Sequence, residues 1–276
     1  MKKLIICCAL TGSLPTKAQN PRLPVTPDEI AADALAVYRA GASIVHIHAR
    51  DGEGNNCHDR DIFQEIHSKI KALAPELIVQ LSTGGRAGQA FESRNGCLYS
   101  NPEMASLCTG STNFPVGVYA NEMELVVKLA EMMKQRGIKP EIEVFDTNMV
   151  GAALELERMG LLQRPLYFDF VMGCKNAQPA DLRHLGYLLS MLPEGSEWCA
   201  SGIAANQVNT TLMAIAAGGH VRVGLEDNLY LRHGVKASNA ELVERVVRIA
   251  NEVGREVASP GEAREILGLS RAYCGR

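Results

Sequence analysis

Two histidines one residue apart, His46 and His48, close the short apolar run Ser43-Ile44-Val45-His46-Ile47-His48. In an extended strand alternate side chains share a face, so both imidazoles point one way while Val45 and Ile47 point the other. Two imidazoles on one rigid element supply two of the three protein ligands of a catalytic metal site. Taken alone, the same pair also suits two hydrogen-bonded strand histidines. A third ligand has to come from elsewhere, and the richest stretch is Arg222-Val223-Gly224-Leu225-Glu226-Asp227-Asn228. With Val221 and Val223 on the helix-facing side of a strand, His220 and Arg222 point inward, and Glu226 and Asp227 fall just past the strand end. One carboxylate can complete the metal site, and the other can act as a base or hold Arg222. Zinc accepts such a set well, as do iron and manganese.

Further groups collect at other strand ends. Ser82-Thr83-Gly84-Gly85 follows a strand; its glycines allow close backbone approach and its N–H groups can meet an anion, or it is a plain tight turn. Ser106 and Thr109 bring hydroxyls to the end of a weaker strand. Glu141 and Glu143 share one face of a strand, and an inward carboxylate in a dry interior needs a partner. Glu143 lies nearer the functional end, either in the site or as a salt-bridged interior acid. His67 and His184 read as helix surface or packing residues, and His58 and His233 as loop histidines. His220 stands at the wrong end of its strand.

The elements that must position these groups alternate from end to end. Short β-branched runs at 4–10, 43–49, 77–81, 105–109, 141–145, 165–172, 198–200 and 220–224 read as strands. Amphipathic runs lie between them: one opened by Thr26-Pro27-Asp28-Glu29 and stopped near Gly41, then 59–73, 122–136, 148–159, 179–191, 206–217 and 239–253, with a short tail helix after Pro260. Eight such units predict an α/β fold of the (β/α)8 TIM-barrel type, a single domain over 1–276, whose functional groups gather at the carboxyl ends of the strands. An open doubly wound sheet is the other arrangement, but no GxGxxG follows the first strand.

Bulk properties exclude several classes. The 276 residues are 46% hydrophobic and 21% charged, enough to bury a core without disulfides or a structural metal. A net charge of -3 with no polybasic run gives no case for nucleic acid or a membrane surface. The eight cysteines form no CxxC pair and read as reduced thiols of a cytosolic protein. The first residues begin like a signal peptide, but the apolar stretch is too short and reads as a buried first strand. No segment reaches the length that crosses a bilayer.

Taken together, Ala9-Leu10-Thr11-Gly12, His46-Ile47-His48-Ala49-Arg50-Asp51, Leu81-Ser82-Thr83-Gly84-Gly85, Pro102-Glu103-Met104-Ala105-Ser106, Glu141 to Asp146 and Val221 to Asn228 resemble the β-keto acid cleavage enzymes over nearly the whole chain. The resemblance implies a (β/α)8 barrel with one Zn2+ per subunit. It also implies a reaction in which a β-keto acid and acetyl-CoA give acetoacetate and a new acyl-CoA. It makes His46, His48 and Glu226 the metal ligands, and Asp227 the base, working with Arg222 and Ser82. Ser82, Gly85 and Ser106 would contact substrate, with Glu143 close by. A homo-oligomer, a tetramer in the cytoplasm, belongs to the same expectation.

The implied chemistry is coherent. A carbon between a ketone and a carboxylate loses a proton far more readily than an alkane carbon, and a metal can hold the oxygens and spread the enolate charge. One tension is that Arg222 beside Asp227 should favour the charged carboxylate and weaken the base. One departure concerns substrate. Relatives acting on amino-substituted keto acids resemble one another in a glutamate after the Thr-Gly pair, where this chain has Leu14, which cannot neutralise a cation. A substrate without an amino group follows. Ser106, where some relatives have threonine, keeps the hydroxyl. Other expectations for such a site are a metal-dependent hydrolase, an aldolase or lyase on the same barrel, or a non-catalytic metabolite-binding barrel. Barrel hydrolases often carry His-x-His on strand one and histidines ending strands five and six; here the pair is on strand two, and Phe145-Asp146 and Phe170-Val171 supply none.

Overall fold

Eight short, mostly apolar segments pair side by side until the last meets the first. In the computed structural model, which describes residues 2–85, 89–115 and 117–269, these are β1 (Ile6–Ala9), β2 (Ile44–Ile47), β3 (Ile78–Leu81), β4 (Met104–Cys108), β5 (Lys139–Val144), β6 (Tyr167–Met172), β7 (Glu197–Gly202) and β8 (His220–Val223). They form a closed barrel in chain order, and every neighbouring pair is parallel. Helices return the chain outside the barrel: α1 (Pro27–Ala40), α2 (Arg60–Leu73), α3 (Met123–Arg136), α4 (Asn148–Arg158), α5 (Leu182–Met191), α6 (Gln207–Ala216) and α7 (Asn239–Glu252). Among the described residues between β3 and β4, the helical segments are the short turns Phe91–Arg94 and Gly96–Ser100. This is the (β/α)8 barrel the alternation predicts.

Local chemistry explains the boundaries. Thr26 forms a reciprocal capping box with Glu29, and Gly41 ends α1 at φ 115°. The Asp59 side chain accepts from the Asp61 and Ile62 N–H groups at the start of α2. The fifth helix starts at Leu182 rather than 179, because Asp181 caps it by accepting from the Arg183 and His184 N–H groups. Strand β7 is longer than the expected 198–200. Ser201 and Gly202 break the apolar pattern, yet both are buried within the strand.

Burial sorts the strand residues into two shells. Val45, Ile47, Val79, Leu81, Val221 and Val223 face the helices and join the main core. Ile5, Cys7, Ile44, Ile78, Met104 and Tyr167 pack inside the barrel. The tail helix α8 (Pro260–Leu267) is more than a tail: Ala263 and Leu267 belong to that inner cluster. The helix is held by a two-pronged ion pair, Arg264 Nε and Nη2 to Glu103 Oε2 and Oε1 at 2.6 and 2.8 Å, with both residues buried. Seven cysteines among the described residues are free thiols; Cys274 lies outside them. No described helix is long and apolar enough to cross a membrane.

Candidate active site

The carboxyl ends of β2 and β8 flank β1, so side chains far apart in the chain meet across that one strand. His46 and His48 face inward from the end of β2. Glu226 arrives from the loop after β8, and its Nε2-to-carboxylate distances are 3.7 Å to His46 and 3.4 Å to His48. Ligand atoms of all three lie within 4.8 Å of one another. Four ligands at about 2.1 Å around one ion stand about 3.4 Å apart, so the spacing fits a divalent metal. The polar inventory fits as well, because His46 Nε2 and Glu226 Oε2 are buried without a hydrogen-bond partner. An ion would satisfy two atoms that are otherwise costly to bury. The other ring nitrogens are occupied: His46 Nδ1 meets Gln80 Oε1 at 2.6 Å and His48 Nδ1 meets Asn56 Oδ1 at 3.3 Å. A carbonyl oxygen on Nδ1 puts the proton there and frees Nε2 to ligate. Burial drives the His46 imidazole down to about 3, so it stays neutral.

Two backbone features make room for Glu226. Gly12, at φ +65°, has no side chain, and a Cβ there would stand 2.7 Å from Glu226 Cγ. Gly224 has φ +143°, and its Cβ would lie 2.1 Å from the Ala9 carbonyl oxygen. Only glycine allows the β8 loop to cross β1 so closely.

Arg222 is the electrostatic centre. Its Nε and Nη2 donate to Asp227 Oδ2 and Oδ1 at 3.0 and 3.1 Å, and Nη2 also donates to Glu226 Oε1 at 2.7 Å. Nη1 approaches Glu143 at 3.4 Å and Asp169 at 3.5 Å. One guanidinium thus serves four carboxylates. Burial alone would raise Glu226, but Arg222 and the two imidazoles hold it well below the usual carboxylate range. The other acids go the opposite way. Burial outweighs Arg222 at Asp227, which is pushed to about 6 with the Glu226 charge adding to the rise. Burial also raises Glu143 to about 7, and it raises Glu141 and Asp169 as well. The tension at Asp227 therefore resolves toward a stronger base than an ordinary carboxylate. Glu141, Glu143 and Asp169 also lie close enough to share an ion, but Arg222 already supplies a positive charge to two of them.

These groups form the floor of a cavity of about 520 Å³. Ser82, Glu143, Arg222 and Asp227 line its polar side, and Leu14, Phe114 and Val118 line its apolar mouth. The Gly84 N–H donates to Ser82 Oγ at 3.1 Å, and Ser82 and His48 both line the cavity. Arg50, buried, donates to the carbonyls of Gly12 and Pro15 at 2.9 Å each and so fixes the loop carrying Leu14. An antiparallel ribbon, Thr112–Phe114 with Gly117–Tyr119, stands over the cavity, its Phe114 packed on Phe145.

A sequence profile described as beta-keto acid cleavage enzyme matches residues 3–269. The chain belongs to the beta-keto acid cleavage enzyme family. It is 42% identical to a "3-keto-5-aminohexanoate cleavage enzyme" of Fusobacterium nucleatum, over 98% of this chain and 100% of that protein. It is also 42% identical to a "3-oxoadipate:acetyl-CoA acetyltransferase" of Cupriavidus necator, over 96% of this chain and 94% of that one. Among solved structures, the apo form of ObcA superposes with a TM-score of 0.80 at 23% identity, over 90% of this chain and 66% of that one. That likeness carries the fold alone. Membership in the beta-keto acid cleavage enzyme family decides between the readings of the site: it fits keto acid chemistry with acetyl-CoA rather than a hydrolase or a binding module.

Most residues singled out from the sequence of this family member converge. His46, His48, Glu226, Asp227, Arg222, Ser82 and Glu143 meet at one strand-end surface, and Gly85 and Leu14 line the cavity. Ser106 is fully buried behind the cavity wall, where its Oγ accepts from the Thr83 N–H at 3.3 Å and its carbonyl accepts from Thr83 Oγ1 at 2.7 Å. It shapes the Ser82 loop from behind. His220 lies at the opposite end of its strand, where its Nδ1 accepts from the Ile5 N–H at 3.0 Å. His184 pairs with the Asp181 that caps α5. Sequence reasoning missed Asp169, Ser201 and Gln80. Asp169 takes a hydrogen bond from Ser201 Oγ at 2.5 Å inside the barrel. Its signal was present: a period of two along Tyr167-Phe168-Asp169-Phe170 places an acid on the inward face. Gln80 sits in register with His46 as the lone polar residue of Ile78-Val79-Gln80-Leu81.

Proposed function

We propose that this protein is a zinc-dependent acyltransferase that condenses a β-keto acid with acetyl-CoA and cleaves the product to acetoacetate and a new acyl-CoA. The observation carrying the reading is the convergence of His46, His48 and Glu226, two of them with orphaned buried ligand atoms, beside a buried carboxylate of raised pKa, Asp227. A Zn2+ ion on these three ligands would act as a Lewis acid on the oxygens of the keto acid.

The chain's own residues do the rest. Asp227 takes the proton from the carbon between the ketone and the carboxylate, with Arg222 holding its geometry. The resulting carbanion attacks the acetyl thioester carbonyl, forming a carbon–carbon bond and releasing the coenzyme A thiolate. That thiolate then attacks the original ketone carbon. The bond between this carbon and its neighbour breaks, and the departing carbon recovers the proton as acetoacetate. Ser82 and the Gly84-Gly85 backbone face the cavity where the substrate's polar end would lie. Leu14 lines the cavity and carries no charge to meet an ammonium, which favours a substrate whose distal group is not cationic. The protein would act in the cytoplasm, where free thiols such as those of its seven described cysteines persist. A homotetramer, expected from the family resemblance, belongs to the same proposal, and exposed Leu182 and Tyr187 on α5 are apolar surface that a contact between copies could cover.

Acetyl-CoA carrying 13C in its acetyl group, incubated with a panel of β-keto acids, separates the reaction from hydrolysis. Label is expected in acetoacetate together with a substrate-derived acyl-CoA. Label appearing only in acetate, or remaining in acetyl-CoA with every keto acid, would defeat the proposal.

A further inference from the structure

We infer that Asn239, remote from substrate, is the positioning residue that sets where Glu226 presents its carboxylate; this rests on reading Glu226 as a metal ligand. Asn239 opens α7 and is completely buried. Its amide uses all of its hydrogen-bonding capacity. Oδ1 accepts from the Leu225 N–H at 2.7 Å and lies 3.7 Å from the Cys8 thiol. Nδ2 donates to the Leu10 carbonyl at 3.0 Å and to Asp33 Oδ2 at 2.6 Å. Leu225 immediately precedes Glu226, and Leu10 immediately follows β1.

The barrel ladder has ended at both positions, so the Leu225 N–H and the Leu10 carbonyl would be buried without partners. One side chain answers both and stitches the β8 loop to β1. The next peptide is pinned to the same strand, as the Glu226 N–H donates to the Ala9 carbonyl at 3.2 Å. Asp33, reaching over from α1, fixes which end of the Asn239 amide is which, because its carboxylate only accepts. Glu226 therefore inherits its position from two consecutive anchored peptides and the space left by Gly12. No isosteric substitute keeps this. Aspartate loses both donors and faces Asp33, and leucine leaves all the backbone partners unmet.

The test measures Zn2+ affinity of the purified full chain by competition with a chromophoric chelator. The proteins compared are wild type, Asn239→Asp, the double variant Asp33→Asn/Asn239→Asp, and Glu226→Gln. Circular dichroism reports whether each is folded. Asn239→Asp is expected to weaken Zn2+ binding about tenfold, the scale seen when an outer-shell support is lost. Asp33→Asn returns an N–H donor opposite the new carboxylate, so the double variant is expected to recover part of the loss. Should Asn239→Asp fail to fold, the double variant carries the test: the Leu10 carbonyl still lacks its donor, and Zn2+ binding must stay weaker than wild type. A purely structural Asn239 would lower the unfolding temperature yet leave the affinity of the folded protein unchanged. Wild-type Zn2+ affinity in a folded Asn239→Asp, with Glu226→Gln impaired, overturns the positioning role. Undiminished binding in Glu226→Gln overturns the ligand assignment beneath it.

Discussion

Arg222 and Asp227 show how one residue's charge can be necessary and still not dominant. The guanidinium touches four carboxylates, so its stabilisation is divided, while each acid bears its full burial cost. Asp227 consequently sits at about 6 rather than below 4, a useful value for a base working near neutrality. The two residues should fail differently when changed. Asp227→Asn keeps the shape and relieves crowded negative charge, so the protein is expected to fold normally while kcat falls by about 10²–10⁴. Arg222→Met strands buried acids without their cation and is expected to cost about 3–5 kcal/mol in stability. Turnover assays beside urea denaturation check both; an Asp227→Asn variant with wild-type kcat would remove it from the chemistry.

The elements matter here chiefly through their ends. The Gly12–Pro15 turn after β1 is held by Arg50, itself on a short antiparallel pair, Ala49–Arg50 with Asn56–Cys57, that follows the histidines, so the histidine pair and the Leu14 turn share one scaffold. Leu14 rides on that turn with 55% of its surface exposed and lines the cavity. Leu14→Glu should therefore be tolerated by the fold while changing the charge of the mouth. A half-exposed ion pair is worth about 1 kcal/mol, so the preference for an ammonium-bearing over a neutral β-keto acid is expected to rise about fivefold in kcat/KM. An unchanged preference would mean that the distal end of the substrate lies elsewhere.

For the whole molecule, a metal held by His46, His48 and Glu226 would join β2 to the β8 loop, two elements that only barrel closure brings together. Binding to the folded state alone stabilises it by about 4 kcal/mol when the free ion is at a thousand times its dissociation constant. Stripping Zn2+ with a chelator is expected to lower the unfolding temperature by about 10 °C, and Zn2+ restores it. His46→Ala should begin at the lowered value and ignore the chelator; an unfolding temperature indifferent to chelation in the wild type would count against a resident ion. The alternation of runs was enough to predict a barrel, and local spacing was enough to pick out His46, His48, Glu226 and Asp227, because strand period and turn chemistry are properties of neighbours along the chain. Asp169, Gln80 and Asn239 were not recognised, since each acquires its role from a partner on another element: Arg222, His46 and the Leu10–Leu225 pair. So too, Ser106 is a substrate contact by the family resemblance, whereas in the fold it is fully buried and its polar atoms are bonded to Thr83. Sequence by itself determined the periodicity, the caps and the kinds of chemistry on offer. Tertiary structure decided which acid faces which cation and how far burial shifts each, because these depend on distances through space that closing the barrel sets.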